Sequence, residues 1–292
     1  MSEHEAVDIP EEKVKNQMWR RFKKNKPAVV GLVFILIIIL AAIFANVLFD
    51  FNEVVIRQNA ANRLQPPNAD NWFGTDAFGR DMLARIVHGS RVSLTIGLFT
   101  TLISMTIACV LGAISAFYGR LLDDVIMRIL DVFMCIPGML LMLAMVAALG
   151  PGLVNLLIAI AISSVPGFTR LIRSVILSVV GQEFIEAARA SGCRDMRIII
   201  RHILPNAMGP IIINGTMSIA GLILAGAGLS FLGMGVQPPR PEWGSMLAEA
   251  RAHMGSYPHL VIFPGLAIIF TSLSFNLVGD GLRDALDPRL KN

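Results

Sequence analysis

Along this chain, long apolar runs alternate with short charged stretches. Residues 28–49, AVVGLVFILIIILAAIFANVLF, carry no charged side chain. At 1.5 Å per residue that run reaches about 33 Å as a helix, enough to cross a hydrocarbon core of about 30 Å. Comparable runs at 92–118, 125–149, 154–173, 207–232 and 261–279 predict five further membrane helices. The expected fold is therefore an all-α integral membrane protein with six transmembrane helices. An even number of crossings returns the chain to its starting side. The spans divide the chain into an N-terminal segment (1–27), a first helix (28–49), a loop on the far side (50–91), a core (92–279) whose second far-side loop is 233–260, and a C-terminal tail (280–292). A cleaved signal peptide is a poor reading of the first run. The run is too long, a long basic region ending in WRRFKKNKP precedes it, and no A-x-A site follows.

The apolar runs contain four local signals. Asp123 and Asp124 sit where the third span begins and read as helix N-caps. Arg128 and Asp131, three apart, are placed to pair on one face. Pro137 and Pro166 are expected to interrupt the third and fourth spans, which is tolerated where neighbours re-satisfy the backbone. Ser218, Gly221, Ala225 and Gly228 form a helical ridge of small residues in the fifth span. Ordinary close helix packing explains such a ridge, and lining of a moving interface is the alternative.

Composition narrows the class. The chain of 292 residues is 54% hydrophobic and only 16% charged, with a mean hydropathy of +0.65, whereas soluble domains are about a quarter charged. The net charge of +4 does not indicate nucleic-acid binding, because the basic residues flank apolar runs and form no basic domain. The cysteines (Cys109, Cys135, Cys193) contain no CxxC pair, and the histidines (His4, His88, His202, His253, His259) have no metal-ligand spacing. Lys and Arg set the orientation. Lys13, Lys15, Arg20, Arg21, Lys23, Lys24 and Lys26 precede the first span, Arg170, Arg173, Arg189, Arg194, Arg197 and Arg201 lie between the fourth and fifth, and Arg283, Arg289 and Lys291 follow the sixth. All fall on one side, which the positive-inside rule makes cytoplasmic. The other side holds Arg57, Arg63, Arg80, Arg85, Arg91, Arg240 and Arg251, so the bias is modest.

One charged island stands out: EFIEAARASGCRDMRIIIRHILPNA, residues 183–207. A charge at the bilayer centre costs about 2.5–3.5 kcal/mol on insertion scales, so the island is expected outside the membrane, between spans four and five. EFIEAARAS reads as a helix with a small-residue surface, Gly192 as a turn, and RDMRIIIRHIL as a second short helix that Pro205 ends. An ordered helix–turn–helix in a loop, with small and charged residues facing outward, suits docking better than mere connection.

EAARASGCRDMRIIIRHILP resembles the EAA loop of ABC importer permeases, E-A-A-x3-G-x9-I-x-L-P. Glu186, Ala187, Ala188, Gly192, Leu204 and Pro205 match it, while His202 stands where Ile is usual and Ile203 follows one place late. WFGTDAFGRDMLAR (72–85), LGMGVQPPRPEWGSML (232–247) and FNLVGDGLRDALDPRLK (275–291) are similar to segments of dipeptide/oligopeptide permeases, specifically the C-type subunit, and a glutathione importer has a very similar permease. The similarity runs from about Trp19 to the end. It implies a type I ABC importer transmembrane fold in a bacterial inner membrane, with both termini cytoplasmic. It implies coupling through the 183–206 loop to two ATPase subunits, which hold ATP and Mg, and no cofactor in this chain. A homologous B-type permease would complete a heterodimer, and a periplasmic binding protein would deliver peptide substrate. For that delivery face the candidates are Gly74, Asp76, Gly79, Arg80, Asp81 and Trp243. Arg80 and Asp81 are expected to offer a charged surface, and Trp243 an aromatic at the water–lipid interface.

The chain contains no G-x-x-x-x-G-K-[ST] phosphate loop, so it is expected neither to bind nor to split ATP itself. A secondary transporter or channel is the main alternative, predicting internal repeats or buried ionisable residues in the spans, and neither is clear here. A membrane enzyme is disfavoured by the lack of G-x-S-x-G, H-E-x-x-H or any assembled nucleophile–base set.

Overall fold

The computed structural model describes residues 11–286. The first ten residues, and Arg289 and Lys291 of the expected cytoplasmic charge cluster, lie outside the described residues. Among those described, the regular elements are helical: α1 (Glu11–Lys24), α2 (Lys26–Leu48), α3 (Met82–Tyr118), α4 (Arg120–Met134), α5 (Gly138–Leu149), α6 (Leu153–Val180), α7 (Glu183–Ala190), α8 (Asp195–Ile198), α9 (Leu204–Phe231), α10 (Trp243–Ala250) and α11 (His259–Leu286). Five helices are long and apolar enough to cross a membrane. Helices α4 and α5, bent by 83° at the break between them, make a sixth if taken together.

Side-chain contacts settle that the pair counts as a crossing. At one end of the bundle, the α2 terminus meets the start of α3: His88 Nε2 contacts the Phe49 carbonyl at 2.9 Å, and Arg91 bonds Asn46 Oδ1 at 2.9 Å. At the other end, Ser115 near the C-terminus of α3 bonds Asp123 of α4, which also pairs with Arg173 of α6. Helix α6 starts back at the first end, in a cluster with Val146, Leu229 and Met234. The chain must therefore climb through α4 and α5. Both ends of the bundle's helical course lie together: Asn25 caps α2 through the Ala28 N–H (3.1 Å) and donates from Nδ2 to Asp284 Oδ2 of α11 (2.9 Å).

The spans differ from their sequence-based limits in instructive ways. Helix α3 starts ten residues early, at Met82, because Asp81 caps it, accepting from the Ala84 N–H at 2.7 Å. Asp123 and Asp124 do not cap the third span. Gly119, at φ +57°, starts α4 with no side-chain cap, and Asp123 turns to Arg173 instead. Arg128 does not pair with Asp131, which reaches Arg170 on α6. Pro137 does break the third span: it lacks an N–H and holds Ile136 out of the helical region. Pro166 breaks nothing and sits inside a continuous α6. Nor does Pro205 end a helix. The segment from Asp195 runs on to Phe231 as one span, through a wide π turn at Ile199–Ile203 that accommodates the missing proline N–H.

Lipid gives helices no apolar reason to associate, so close backbone approach decides the packing. Helix α3 packs most extensively on α6 and also against α9. A Cβ placed on Gly97 would lie 2.5 Å from Ile223 Cγ1 of α9, and one on Gly112 would lie 3.1 Å from the Arg173 backbone nitrogen of α6. Buried hydroxyls on α3 are satisfied within the bundle. Thr101 donates to the Gly97 carbonyl (2.7 Å), and Ser104 donates to Thr100 (2.6 Å) and across to Ala161 of α6 (3.2 Å).

At the far end from the charged island, the two outer loops fold inward rather than projecting. Asp76, Arg80, Arg85 and Glu249 form one buried ion network: Arg80 Nε–Asp76 Oδ2 2.6 Å, Arg80 Nη2–Glu249 Oε2 2.5 Å, and Arg85 Nη2–Glu249 Oε2 3.0 Å. Trp243 is 1% exposed and donates from Nε1 to the Ile86 carbonyl at 3.0 Å. Glu242 caps α10, accepting from Gly244 N (2.9 Å), Ser245 N (2.8 Å) and Ser93 Oγ (3.2 Å). Burial pushes its carboxyl above the ordinary glutamate value, against the pull of those hydrogen bonds.

Glu249→Ala leaves two buried guanidiniums sharing Asp76 alone. It should destabilise the protein by about 3 kcal/mol, the low end for a broken buried pair because Glu249 itself is partly solvated, readable as a fall in thermal midpoint in detergent. The raised Glu242 carboxyl has a pH signature. The folded state holds its proton more tightly than the unfolded chain, so this residue's contribution favours folding at low pH and declines as pH rises from the ordinary glutamate value through the raised one. Glu242→Gln should flatten that segment of the stability–pH curve.

Candidate functional site

The charged island is built on an apolar underside. Ile185 of α7, Ile198 of α8, and Ile199 and Ile203 of the π turn are buried, packed with Met105, Ala108, Ala113 and Ala116 of α3 and Ile172, Ile176 and Val179 of α6. The loop is thus continuous with the α3–α6 core. Helix α7 carries Glu183 and Glu186 in its first turn and Arg189 in its last, both favourable to its dipole. Arg189 lies over the Phe117 ring at 4.8 Å, tying the loop to the end of α3.

The turn depends on one backbone conformation. Ser191 caps α7, donating from Oγ to the Ala187 carbonyl at 2.8 Å, and Gly192 follows at φ +77°. The Cys193 N–H closes on the Ala188 carbonyl at 3.1 Å, a left-handed cap that glycine adopts without a Cβ penalty. No atom lies within 4 Å of a Cβ built there, so conformation, not crowding, selects glycine.

The six matching residues divide. Glu186, Ala187, Gly192 and Pro205 are exposed, whereas Ala188 and Leu204 are half-buried and pack on the isoleucine cluster. The last two therefore hold the loop and the first four shape its outer surface. Around them Glu183, Arg194, Asp195, Met196, Arg197, Ile200 and Arg201 are also exposed. Among the described residues, none of the island's four arginines or three carboxylates forms an ion pair within the chain. The loop thus presents an ordered outer surface that combines charges of both signs, unpaired within the chain, with small and apolar residues.

The residues expected on the opposite, delivery face have a different role. Arg80 does not offer a charged surface, because Asp76 and Glu249 neutralise it in the interior, and Trp243 is a core residue rather than an interfacial one. Gly74 (φ +75°) and Gly79 (φ +74°) are turn positions pressed against the Gln65 and Asn59 carbonyls. Asp81 is the α3 cap, its carboxyl raised by burial against the opposing backbone hydrogen bonds. These residues frame the outer loops. The aromatics exposed there are Trp72 (71%) and Phe78 (43%), the latter under the Arg80 guanidinium at 4.5 Å. The basic residues of that side are largely used internally: Arg63 bonds the Ala77 carbonyl at 2.7 Å, Arg251 the Phe231 carbonyl at 2.8 Å, and Arg57 pairs with Glu53 at 2.5 Å.

The small ridge of α9 is loosely covered: no atom lies within 4 Å of a Cβ built on Gly221, and one built on Gly228 meets only Met139 Cε, at 3.7 Å. Gly221, Ala225 and Gly228, with Leu224, line an open apolar cavity of about 630 Å³ whose other wall includes Met139 and Met142 of α5. The α9 positions that do pack closely on α3 are Gly215, Ile219, Ile223 and Gly226. The cavity was not legible in sequence, since its α5 and α9 walls are far apart in the chain and meet only through the packing of both helices on α6.

Comparison with known proteins agrees with this architecture. Residues 108–292 match the family model described as binding-protein-dependent transport system inner membrane component. Residues 16–67 match the N-terminal TM domain of oligopeptide transport permease C. The dipeptide transport system permease protein DppC of Alkalihalophilus pseudofirmus is 49% identical over 276 residues, covering 94% of this chain and 90% of that protein. The glutathione transport system permease protein GsiD of Escherichia coli is 45% identical over 278 residues, covering 94% and 91%. Among solved structures, a chain of the MetNI methionine ABC transporter, in inward-facing conformation, superimposes with a TM-score of 0.60 at 18% identity, over 70% of this chain and 98% of that one. That likeness establishes the type I ABC importer transmembrane fold. The chain belongs to the family of inner membrane components of binding-protein-dependent transport systems, as a multi-pass protein of the bacterial inner membrane.

Proposed function

We propose that this chain is one of two homologous but distinct permease subunits, the C-type partner of a B-type chain, in an ATP-driven importer of di- or oligopeptides or a small peptide such as glutathione. The observation that carries the reading is the 183–206 loop: a charged, unpaired outer surface on an apolar underside fused to α3 and α6. Such a part receives a push and passes it to the bundle. Glu186, Ala187, Gly192 and Pro205 meet an ATPase subunit, and Ala188 and Leu204 keep the loop seated. ATP and Mg are held by two ATPase subunits, and this chain is non-catalytic. The peptide class follows from relatives named for dipeptide and glutathione transport.

The loop end faces the cytoplasm, with both chain ends, on the strength of the Lys and Arg distribution. The opposite end, where the buried Asp76–Arg80–Arg85–Glu249 network stiffens the outer loops, meets the periplasmic binding protein. Exposed Trp72 and Phe78 are better placed for that contact than Arg80 or Trp243. Alternating access then consists of a two-state rearrangement between paired permeases, biased by the ATPases through the loops.

Gentle purification of tagged protein from native membranes should recover a second permease and ATPase subunits carrying a phosphate loop; recovery of this chain alone, or only as a homo-oligomer, would refute the reading. Gly192→Val forces a β-branched residue to positive φ, and Glu186→Lys reverses a charge on the outer face. Each should weaken ATPase recovery on the order of tenfold, about 1.4 kcal/mol, and lower dipeptide uptake in proportion, with membrane insertion unchanged.

A further inference from the structure

The geometry points to two ion pairs, Arg173–Asp123 and Arg170–Asp131, as the positioning device that links the 183–206 loop to the broken α4–α5 span and so sets the Met139–Met142 wall of the apolar cavity. The inference rests on the reading of that loop as the element moved by an ATPase.

Helix α4 is weakly held by packing. Leu130 is its one buried residue, while Leu121, Val125, Ile129 and Val132 on it are exposed. What fixes it is polar. Asp123 receives Arg173 in a two-pronged contact, with Nε–Oδ1 at 2.6 Å, and also accepts from Ser115 Oγ of α3. Further along, Asp131 receives Arg170. Arg170 and Arg173 lie one turn apart on α6, and the two aspartates lie about two turns apart on α4. The contacts therefore run antiparallel and set both the position and the direction of α4. A planar guanidinium held at two points resists rotation as well as separation.

The other partner in these contacts is rigid. Helix α6 is clamped to α3 at Gly112, and beyond Arg173 it enters the isoleucine cluster that seats the loop. A displacement of the loop is thus a displacement of α6 and of its two arginines. At the far end of α4 the chain breaks at Cys135–Pro137 with an 83° bend. Pro137 removes a backbone donor and Gly138 starts α5 without a side-chain cap, so the joint yields while each half stays helical. Beyond the joint, Met139 faces the α9 ridge: a Cβ on Gly228 would lie 3.7 Å from Met139 Cε. Flexible methionine side chains against glycines re-pack at low cost. Loop, α6, ion pairs, α4, joint and cavity wall form one contiguous chain of contacts. Arg170 and Asp131 are each nearly half exposed, so their reversal is compatible with folding.

The test uses the assembled complex, with native cysteines replaced and Met139→Cys paired with Gly228→Cys. Crosslinking by a short bis-methanethiosulfonate, which spans the length that cysteine lacks relative to Met139, is followed with and without a non-hydrolysable ATP analogue, beside ATP hydrolysis and dipeptide uptake. In this parent complex crosslinking should depend on nucleotide. Asp131→Arg or Arg170→Asp alone should abolish that dependence and uptake while ATP hydrolysis and thermal midpoint are retained, and the double reversal should restore both. Asp123→Asn, which keeps shape and loses charge, should weaken the dependence without unfolding. Wild-type nucleotide dependence in the single reversals, or failure of the double reversal to restore it, would overturn the proposal. A parent complex with no ATPase activity and no nucleotide dependence would instead overturn the importer reading on which it stands.

Discussion

The bundle depends on how closely α3 lets its neighbours approach. In hydrocarbon a leucine gains nothing by leaving lipid for another leucine, so contact must come from fit and from polar groups with nowhere else to turn. Gly97 and Gly112 admit α9 and α6, while Thr101 and Ser104 of α3 turn to carbonyls of their own helix or of α6. With α3 and α6 so fixed, both ends of the molecule acquire stable platforms. One seats the isoleucines under the charged island, and the other holds Arg85 beneath the outer loops.

The two platforms use charge in opposite ways. At the outer end, Asp76, Arg80, Arg85 and Glu249 are consumed inside the fold, and their hydrogen-bonded network joins loops that are distant in sequence. A buried network of this kind specifies geometry more than it adds stability, since desolvation offsets much of the attraction. At the loop end, the charges stand outside and unpaired within the chain. A surface ordered by apolar anchors but unsatisfied in charge is suited to a partner that supplies the complement. Between the platforms, the α4–α5 pair adjoins an open apolar cavity and is tethered to α6 by two arginines.

Much of this was legible in the sequence, for physical reasons. Uncharged runs of 20 or more residues have few alternatives to crossing a membrane, and a dense island of charge must lie outside it. Helix–turn–helix geometry in that island follows from Gly192 and the alanines. The reading failed where a residue's role is set by something distant. Arg80 and Trp243 look like surface residues in a loop rich in Gly and Pro, yet Glu249 and Ile86 draw them inside from 169 and 157 positions away. Asp123, Arg128 and Asp131 look like a local set, but α6 supplies better-placed arginines. Pro137 and Pro166 look alike, and only the absence or presence of flanking helix contacts makes one a break and the other harmless.

The sequence by itself determined the solvent of each segment: which parts sit in lipid, which outside, and which charged stretch folds as a helix–turn–helix. It did so because transfer of charges and backbone groups into hydrocarbon is costly enough to decide placement residue by residue. Only the tertiary structure decided partners. Helix association in lipid is governed by small differences in shape and by polar pairings between segments far apart in the chain. Hence the cavity between α5 and α9, the buried outer network and the tether of α4 to α6 exist only once the helices are assembled.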